Sequence, residues 1–161
     1  MTARNSTQPP ALTRRLVCPD PDATTRLGER LGALAVAGDV VCLWGDLGAG
    51  KTHLAKAIGR AIGVVETITS PSFVLMAEYA GRLPLFHLDL YRLGDAVDAL
   101  AGGLIDERQA AGVTLIEWPE RLAALPAARL DVHIEGVGDD PRTITLSATT
   151  EDHRRYLEAG S

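Results

Sequence analysis

The sequence has little of what disulfide-linked and metal-binding proteins need. It has two cysteines in 161 residues, Cys18 and Cys42, which form neither a C-x-x-C pair nor a zinc-ligand spacing. Cys42 lies in an apolar stretch, where cysteine usually behaves as a small hydrophobic residue. These features argue against a disulfide framework and are typical of a protein in a reducing cytoplasm.

Long apolar stretches and an excess of cationic residues are also lacking. The longest strictly apolar runs are about five residues, such as Val40–Trp44, against about 20 for a membrane-spanning helix. Residues 1–10 lack the apolar core of a secretion signal. Asp and Glu outnumber Lys and Arg by 21 to 16, so the net charge of −5 disfavours direct binding of nucleic acid or of an anionic membrane. In a nucleic-acid pathway, we expect a partner to hold the nucleic acid.

Length and composition predict one globular domain with polar ends. A chain of 161 residues has the length of a single domain, and 46% hydrophobic with 23% charged residues is ordinary for a globular protein. We predict a disordered tail over residues 1–11 and one domain over 12–150. We expect residues 151–161 to form a polar tail that is helical and then frays.

The spacing of apolar residues predicts a mixture of helices and strands, and therefore an α/β fold with antiparallel additions. Asp20 and Pro21 are typical of a helix start, and Gly38 is expected to end that helix in a left-handed conformation. We predict helices over 21–37 and 51–62, a weak helix over 95–104, a helical turn over 119–125, and strands over 12–17, 39–44, 72–79, 83–90, 113–117, 129–135 and 142–147.

Residues 45–52 (GDLGAGKT), here called the glycine loop, fit the motif G-x-x-x-x-G-K-[ST]. Glycines let successive backbone N–H groups turn toward phosphate oxygens, and the following helix directs its positive end at the same anion. In such a loop Lys51 binds the β- and γ-phosphates and the Thr52 hydroxyl binds Mg²⁺. Of the 16 basic residues only Lys51 and Lys56 are lysines, so a lysine at the motif position is informative. We predict a nucleotide site whose further contacts come from Asp46, Leu47, Gly48, Ala49 and Gly50.

Two acidic residues end apolar strands downstream of this loop. Asp89 follows LFHL and Glu117 follows VTLI. Phosphoryl transfer needs a carboxylate at the end of a neighbouring strand to hold Mg²⁺, and ligands of open α/β sheets bind at the carboxyl ends of the strands. The alternative is that each acid merely marks the end of a strand.

Two further groups of residues allow a structural or a functional interpretation. His87 lies two residues before Asp89 on the same side of the strand, but no third ligand follows at a suitable spacing for a transition metal. His87 is therefore either a polar neighbour of the site or a structural histidine. Ser70, Pro71 and Ser72 either sense a γ-phosphate as a switch segment does, or form an ordinary turn into a strand.

Four motifs in this order and spacing resemble the TsaE family, the small ATPases of bacterial tRNA threonylcarbamoyladenosine biosynthesis. They are GDLGAGKT at 45–52, SPSF at 70–73, HLDLYR at 87–92 and IEWPER at 116–121. The resemblance covers about residues 15–147, and the last two motifs are far more specific than the glycine loop, which many families share. It implies a P-loop NTPase-like fold with a mostly parallel sheet flanked by helices and extended by antiparallel hairpins.

The resemblance implies ATP or ADP and Mg²⁺ as ligands and a role for each matching residue. Lys51 would contact the phosphates, while Thr52, Asp89 and Glu117 would hold Mg²⁺, with Glu117 alternatively orienting the attacking water. Lys51, Asp89 and Glu117 would thus carry catalysis. Trp118 would lie beside the nucleotide, the segment starting at Pro21 and the later hairpin would approach the base, and the switch segment would comprise Ser70, Pro71 and Ser72.

The resemblance also implies two partner proteins, TsaD and TsaB. In the family, TsaD transfers the threonylcarbamoyl group to tRNA, and TsaE binds TsaD with ATP at or near the interface. Hydrolysis of the ATP resets the complex between turnovers. The chain would then meet tRNA only through its partners, in agreement with its acidic charge, and would be a weak ATPase alone. It would not bind a membrane.

Two other functions fit a glycine loop of this kind. A small-molecule kinase needs a second substrate pocket and usually a lid with arginines, but the chain has only a hairpin with Arg82 before Asp89. A nucleotide-dependent binding module would use Asp89 and Glu117 for structure only. Transfer of phosphate to a second substrate would identify the kinase, and partner-stimulated turnover would separate the ATPase from the module.

Overall fold

The structure is a computed structural model that describes residues 12–68, 76–91, 107–122 and 124–160. The predicted N-terminal tail, the switch segment Ser70 to Ser72 and the weak helix over 95–104 lie outside the described residues.

The described strands form one mixed sheet of seven strands. They are β1 (Thr13–Cys18), β2 (Val40–Trp44), β3 (Met76–Tyr79), β4 (Leu85–Asp89), β5 (Val113–Glu117), β6 (Leu130–Glu135) and β7 (Arg142–Ala148). Their order across the sheet is β1-β7-β6-β2-β5-β4-β3. The central strands β6, β2, β5 and β4 are parallel, whereas β7, β1 and β3 are added antiparallel. Both predicted hairpins are confirmed.

Two α-helices pack against one face of this sheet. Helix α1 (Pro21–Leu34) begins where Asp20 Oδ1 accepts the Ala23 N–H at 2.8 Å, and α2 (Lys51–Ile62) follows the glycine loop. Their apolar stripes share one core with β2, including Leu27, Leu31, Leu54 and Ile58. Gly32 lets the helices approach closely, since a Cβ there would lie 2.4 Å from the Ile58 carbonyl oxygen.

The strand that precedes the glycine loop is buried on both faces. Val41 and Leu43 pack beneath the helices, whereas Val40 and Cys42 join Ile116 in a second apolar cluster on the opposite face. This is the burial that a continuous apolar run in a parallel sheet predicts. It gives the loop a rigid base.

Three elements differ from the prediction. Helix α1 ends at Leu34, and Gly38 lies in the following turn with φ 93°, where its N–H donates to the Gly112 carbonyl at 2.8 Å. Only Pro119–Arg121 is helical within 119–125, as a 3₁₀ turn, among the residues described there. The polar C-terminal segment does not fray: Glu151–Gly160 is a 3₁₀ helix with Tyr156 fully buried, since its aromatic ring and apolar residues complete the core beneath α1.

None of the described helices combines the length and the apolar character that crossing a membrane requires.

Candidate functional site

The glycine loop connects the carboxyl end of β2 to the first turn of α2. Gly48 and Gly50 have φ values of 84° and 107°, a region that other L-residues seldom adopt. A Cβ at either position would meet no atom within 4 Å, so the backbone conformation, and not crowding, requires glycine there. The first N–H groups of α2 have no partners within the helix, and together with the helix dipole they form an anion-binding surface beside the loop.

Lys51 folds back beneath the glycine loop. Its Nζ atom donates to the carbonyl oxygens of Gly45 at 2.5 Å and Asp46 at 3.0 Å. The ammonium also lies 4.1 Å from the centroid of the Trp118 ring. Burial lowers the pKa of Lys51, while nearby carboxylates oppose this shift by stabilising the charged form. These carboxylates belong to Glu117, Glu120, Asp46 and Asp89.

Glu117 is the centre of a buried polar cluster at the end of β5. Thr52 donates its hydroxyl to the two carboxylate oxygens at 3.0 and 3.3 Å. His87 Nε2 lies 2.6 Å from Oε2 of the same carboxylate. His87 is fully buried and Glu117 is 2% exposed, so few water molecules compete for these bonds. The histidine is therefore a direct neighbour of a predicted site residue, as the first of the two interpretations requires.

Asp89 ends the strand next to Glu117. The two residues are direct partners in the parallel pairing of β4 and β5, so both acids lie at the same edge of the sheet, as predicted. Asp89 Oδ1 accepts the Tyr91 N–H at 3.1 Å, which turns the chain away after the strand. The carboxylate is half-buried and accessible from the same edge of the sheet as the glycine loop.

Trp118 adopts a backbone conformation that is unusual for its type. With φ 60° and ψ 51°, it is the one residue other than glycine with positive φ among the described segments. Such a conformation costs about 1–3 kcal/mol and is found mostly at functional sites. It places the indole over the Lys51 ammonium and 5.0 Å from the Tyr91 ring. The two rings therefore form an aromatic wall beside the lysine.

A cavity of about 320 Å³ opens on the other side of the glycine loop. The start of α1, including Pro21, forms one wall, Ala49 and Gly50 form another, and the turn between β6 and β7 closes the third. His53 Nε2 lies 2.8 Å from Thr25 Oγ1 and fastens α2 to α1 at this point. Pro21 therefore lies beside the glycine loop, while the expected approach of its segment to the nucleotide base stays a prediction.

The oxygen-rich edge suits a hard cation that arrives with its own oxygen ligands. No group of three His, Cys, Asp or Glu side chains within the described parts of the chain forms a metal site by itself. Magnesium commonly uses one or two carboxylates together with substrate phosphates and water, so Thr52, Asp89 and Glu117 fit that mode of binding. Their hydroxyl and carboxylate oxygens are the ligand types that Mg²⁺ prefers.

Five of the predicted residues lie close together. Lys51, Thr52, Asp89, Glu117 and Trp118 lie around the glycine loop. The predicted switch segment lies outside the described residues, and the side chain of Leu47 is 67% exposed, so that residue offers mainly its backbone.

Sequence reasoning missed the contribution of Arg142. Its guanidinium binds the carbonyl of Ala49 in the loop, 93 positions earlier in the chain. No local motif marks such a long-range contact, since it depends on the pairing of β6 with β7.

Comparison with known proteins agrees on one family. The model of the family described as "Threonylcarbamoyl adenosine biosynthesis protein TsaE" matches residues 18–144. A tRNA threonylcarbamoyladenosine biosynthesis protein TsaE from Bacillus subtilis is 40% identical over 86% of this chain and 88% of its own. Proteins of the same name from Treponema pallidum and Mycobacterium tuberculosis are 41% and 42% identical, over 77% and 80% of this chain and 93% and 83% of their own.

A solved structure has the same fold. The crystal structure of Bacillus subtilis YdiB superposes with a TM-score of 0.71 at 33% sequence identity. The match covers 94% of this chain and 95% of the other. The mixed sheet with its helices is therefore shared along almost the whole chain.

Proposed function

The chain belongs to the TsaE family, which takes part in tRNA threonylcarbamoyladenosine biosynthesis, and from that premise we propose that it is a Mg²⁺-dependent ATPase with a P-loop NTPase-like fold. The observation that carries this proposal is the convergence of Lys51, Thr52 and Glu117 directly beneath the glycine loop. Glycine conformation, a buried ammonium and an oxygen-rich strand end are together what binding and cleavage of a nucleoside triphosphate require.

In this proposal the glycine loop binds the phosphates of ATP, and of ADP after hydrolysis. Backbone groups of residues 46–50 surround the polyphosphate, and Lys51 exchanges its carbonyl partners for phosphate oxygens. Charge favours that exchange, because an ammonium binds an anionic oxygen more strongly than a neutral carbonyl. The nucleoside occupies the cavity beside Pro21, and Trp118 closes the opposite side.

In this proposal the oxygen-rich edge of the sheet binds the cation and orients the attacking water. Thr52, Asp89 and Glu117 hold Mg²⁺, which neutralises charge on the phosphate oxygens when bound. Glu117 also accepts a hydrogen bond from the attacking water and so orients it toward the γ-phosphate. His87 holds this carboxylate from behind, where burial prevents it from turning toward solvent.

We propose that turnover depends on the partner proteins TsaD and TsaB. The site opens at the edge of the sheet, where a second protein can complete it and exclude water. Hydrolysis at an interface with TsaD would reset the complex between rounds of tRNA modification. The net charge of −5 supports contact with tRNA through these partners only, in the cytoplasm where they act.

Phosphate release from Mg²⁺-ATP tests the proposal, with the chain alone and with the TsaB–TsaD pair. We expect a slow rate alone and a clear rise with the pair. Lys51→Ala should weaken ATP affinity by about a hundredfold, since a charged hydrogen-bond donor is lost. Lys56→Ala, which removes the same charge from the same helix, is the matched control and should behave like the wild type.

Two other results would replace this proposal, and a third would narrow it. Transfer of phosphate to a small-molecule acceptor instead of water would indicate a kinase. ATP binding without turnover, even with the pair, would indicate a nucleotide-dependent binding module. A rate that the pair leaves unchanged would keep the ATPase and remove the partner-dependent step.

A further inference from the structure

Arg142, the first residue of β7, joins two loops that are distant in sequence. Its Nε donates to the Ala49 carbonyl at 2.8 Å, and its Nη2 lies 3.5 Å from the Gly48 carbonyl oxygen. The same guanidinium donates to the carbonyls of Gly138 at 3.0 Å and Asp140 at 2.5 Å. One side chain therefore bonds the glycine loop to the turn between β6 and β7.

These two loops form two of the three walls of the 320 Å³ cavity. The turn is shaped to admit the arginine: Gly136 has φ 125°, and a Cβ there would lie 3.0 Å from Arg142 Cδ and 2.6 Å from the Pro141 carbonyl oxygen. A larger residue at position 136 would therefore push against both the turn and the arginine. The guanidinium bonds the two walls to each other, in addition to the parallel pairing of β2 with β6 that leads into both loops.

The direction of the Ala49 carbonyl determines the direction of the next amide. In a trans peptide the C=O and the following N–H point to opposite sides, so a carbonyl held toward Arg142 turns the Gly50 N–H away from it. A glycine loop has little stiffness of its own, because glycine adopts many backbone conformations. The arginine also places positive charge against two carbonyl oxygens that would otherwise repel an anion.

We propose that Arg142 is a positioning residue for polyphosphate binding. Through its bonds to the carbonyls of Gly48 and Ala49, it holds the glycine loop in the conformation that binds phosphates. The identity of the ligand rests on the proposed function, but the effect on the loop does not. A planar fork with five donors reaches several carbonyls at fixed angles, whereas a lysine ammonium keeps the charge without that geometry.

Amide hydrogen exchange of the nucleotide-free protein tests the positioning directly. We expect Arg142→Lys and Arg142→Gln to increase exchange in residues 46–52 and to leave the α1 core unchanged. Arg15→Gln, which removes an exposed arginine from neighbouring β1, is the control and should leave the loop as it is. Wild-type exchange in Arg142→Lys would overturn the proposal, because charge alone would then suffice. Increased exchange along the whole chain in both variants would overturn it too.

Titration with inorganic pyrophosphate and with ATP tests the consequence. Both variants should bind each ligand about tenfold more weakly, which is the loss expected for hydrogen bonds from a charged donor. Loss of ATP affinity with unchanged pyrophosphate affinity would overturn the proposal, since Arg142 would then act on the nucleoside. If the wild type binds neither ligand while loop exchange rises in the variants, the proposed function fails and the positioning role stands.

Discussion

A buried carboxylate lies beside a histidine at each end of the parallel strands, Asp39 just before β2 and Glu117 at the end of β5, but the two acids are bonded in different ways. Asp39, just before the strand, accepts the Val36 N–H at 3.0 Å and also the hydroxyl of Tyr156 and the guanidinium of Arg155. His153 lies 3.6 Å from its other oxygen. Glu117, at the opposite end of the sheet, is held by Thr52 and His87.

From this difference we infer that Asp39 serves stability, and we propose that Glu117 serves binding. The charge of Asp39 is neutralised by a guanidinium that the protein itself supplies, and this bond fastens the C-terminal segment to the sheet. The cation nearest the glycine loop, Lys51, donates instead to neutral carbonyls. A cation with weak partners beside a buried acid is ready to bind a charged ligand, whereas a saturated pair is not.

The largest expected effect follows removal of the charge of Glu117, at the carboxyl end of the parallel strands. Glu117→Gln keeps hydrogen-bonding atoms for Thr52 and His87, so we expect normal folding and normal affinity for ATP without Mg²⁺. Partner-stimulated turnover should fall by about a hundredfold or more, because a ligand of Mg²⁺ and the group that orients water are both lost. Single-turnover phosphate release measures this. Glu120→Gln, an exposed acid on the same side of the site, is the matched control. Unchanged turnover in Glu117→Gln would assign the role to Asp89.

The next largest effect concerns Asp39, at the amino end of the parallel strands, and should change the free energy of unfolding alone. Asp39→Ala leaves Arg155 and Tyr156 without their acceptor, which costs about 3 kcal/mol for a buried pair of this kind. Chemical denaturation measures the free energy of unfolding, and ATP affinity should stay unchanged. Glu151→Ala removes the exposed pair with Arg154 and should change stability by at most about 0.5 kcal/mol. An equal loss in both variants would contradict the stabilising role of the buried Asp39–Arg155 pair.

A smaller effect should follow loss of the histidine behind Glu117. His87→Leu removes the 2.6 Å contact, and we expect turnover to fall by about tenfold with unchanged ATP affinity, since the acid loses its orientation. His87→Gln supplies an amide donor at the same distance from the backbone and should restore part of the rate. A purely structural role would instead lower stability in both variants without separating their turnover.

The smallest effect concerns pH at the amino end. Burial lowers the pKa of His153, and Arg155 acts in the same direction, while Asp39 and Asp152 oppose it. The folded protein therefore binds a proton less readily than the unfolded chain, so the free energy of unfolding should decrease as pH falls below about 6.5, the ordinary pKa of histidine. Val40 donates its N–H to Nε2 at 3.2 Å, and protonation would remove this acceptor.

Thermal denaturation between pH 7.5 and 5.5 measures this dependence, compared between the wild type and His153→Gln. The wild type should lose more stability on acidification than the variant. Equal slopes would assign the acid sensitivity to other groups.

Much of the glycine loop could be predicted because its signals are local. Glycine at positions 48 and 50, an apolar strand before them and an amphipathic helix after them lie within one short stretch of chain. Asp89 and Glu117 could be predicted as strand-end acids for the same reason. The prediction that Gly38 ends α1 is wrong, because the helix stops at Leu34 and the Gly38 N–H bonds to Gly112 in another part of the chain.

Contacts between distant segments could not be predicted in this way. The pairing of β4 with β5 places His87 against Glu117, 30 positions apart. The pairing of β6 with β7 places Arg142 against the glycine loop. The polar C-terminal segment gave no sign of burial, because the bonds of Arg155 and Tyr156 to Asp39 join segments more than a hundred residues apart.

The sequence by itself therefore determined the family and the residues of the local motifs, and the tertiary structure decided how those residues are held in place. Motif residues adjacent in the chain adopt their conformation through local backbone preferences. The glycine loop, with Lys51 and Thr52, can therefore be identified without a structure. Strand order and register arise from burial summed over the whole sheet. Only that sum brings His87 into contact with Glu117, Arg155 into contact with Asp39, and Arg142 into contact with the glycine loop.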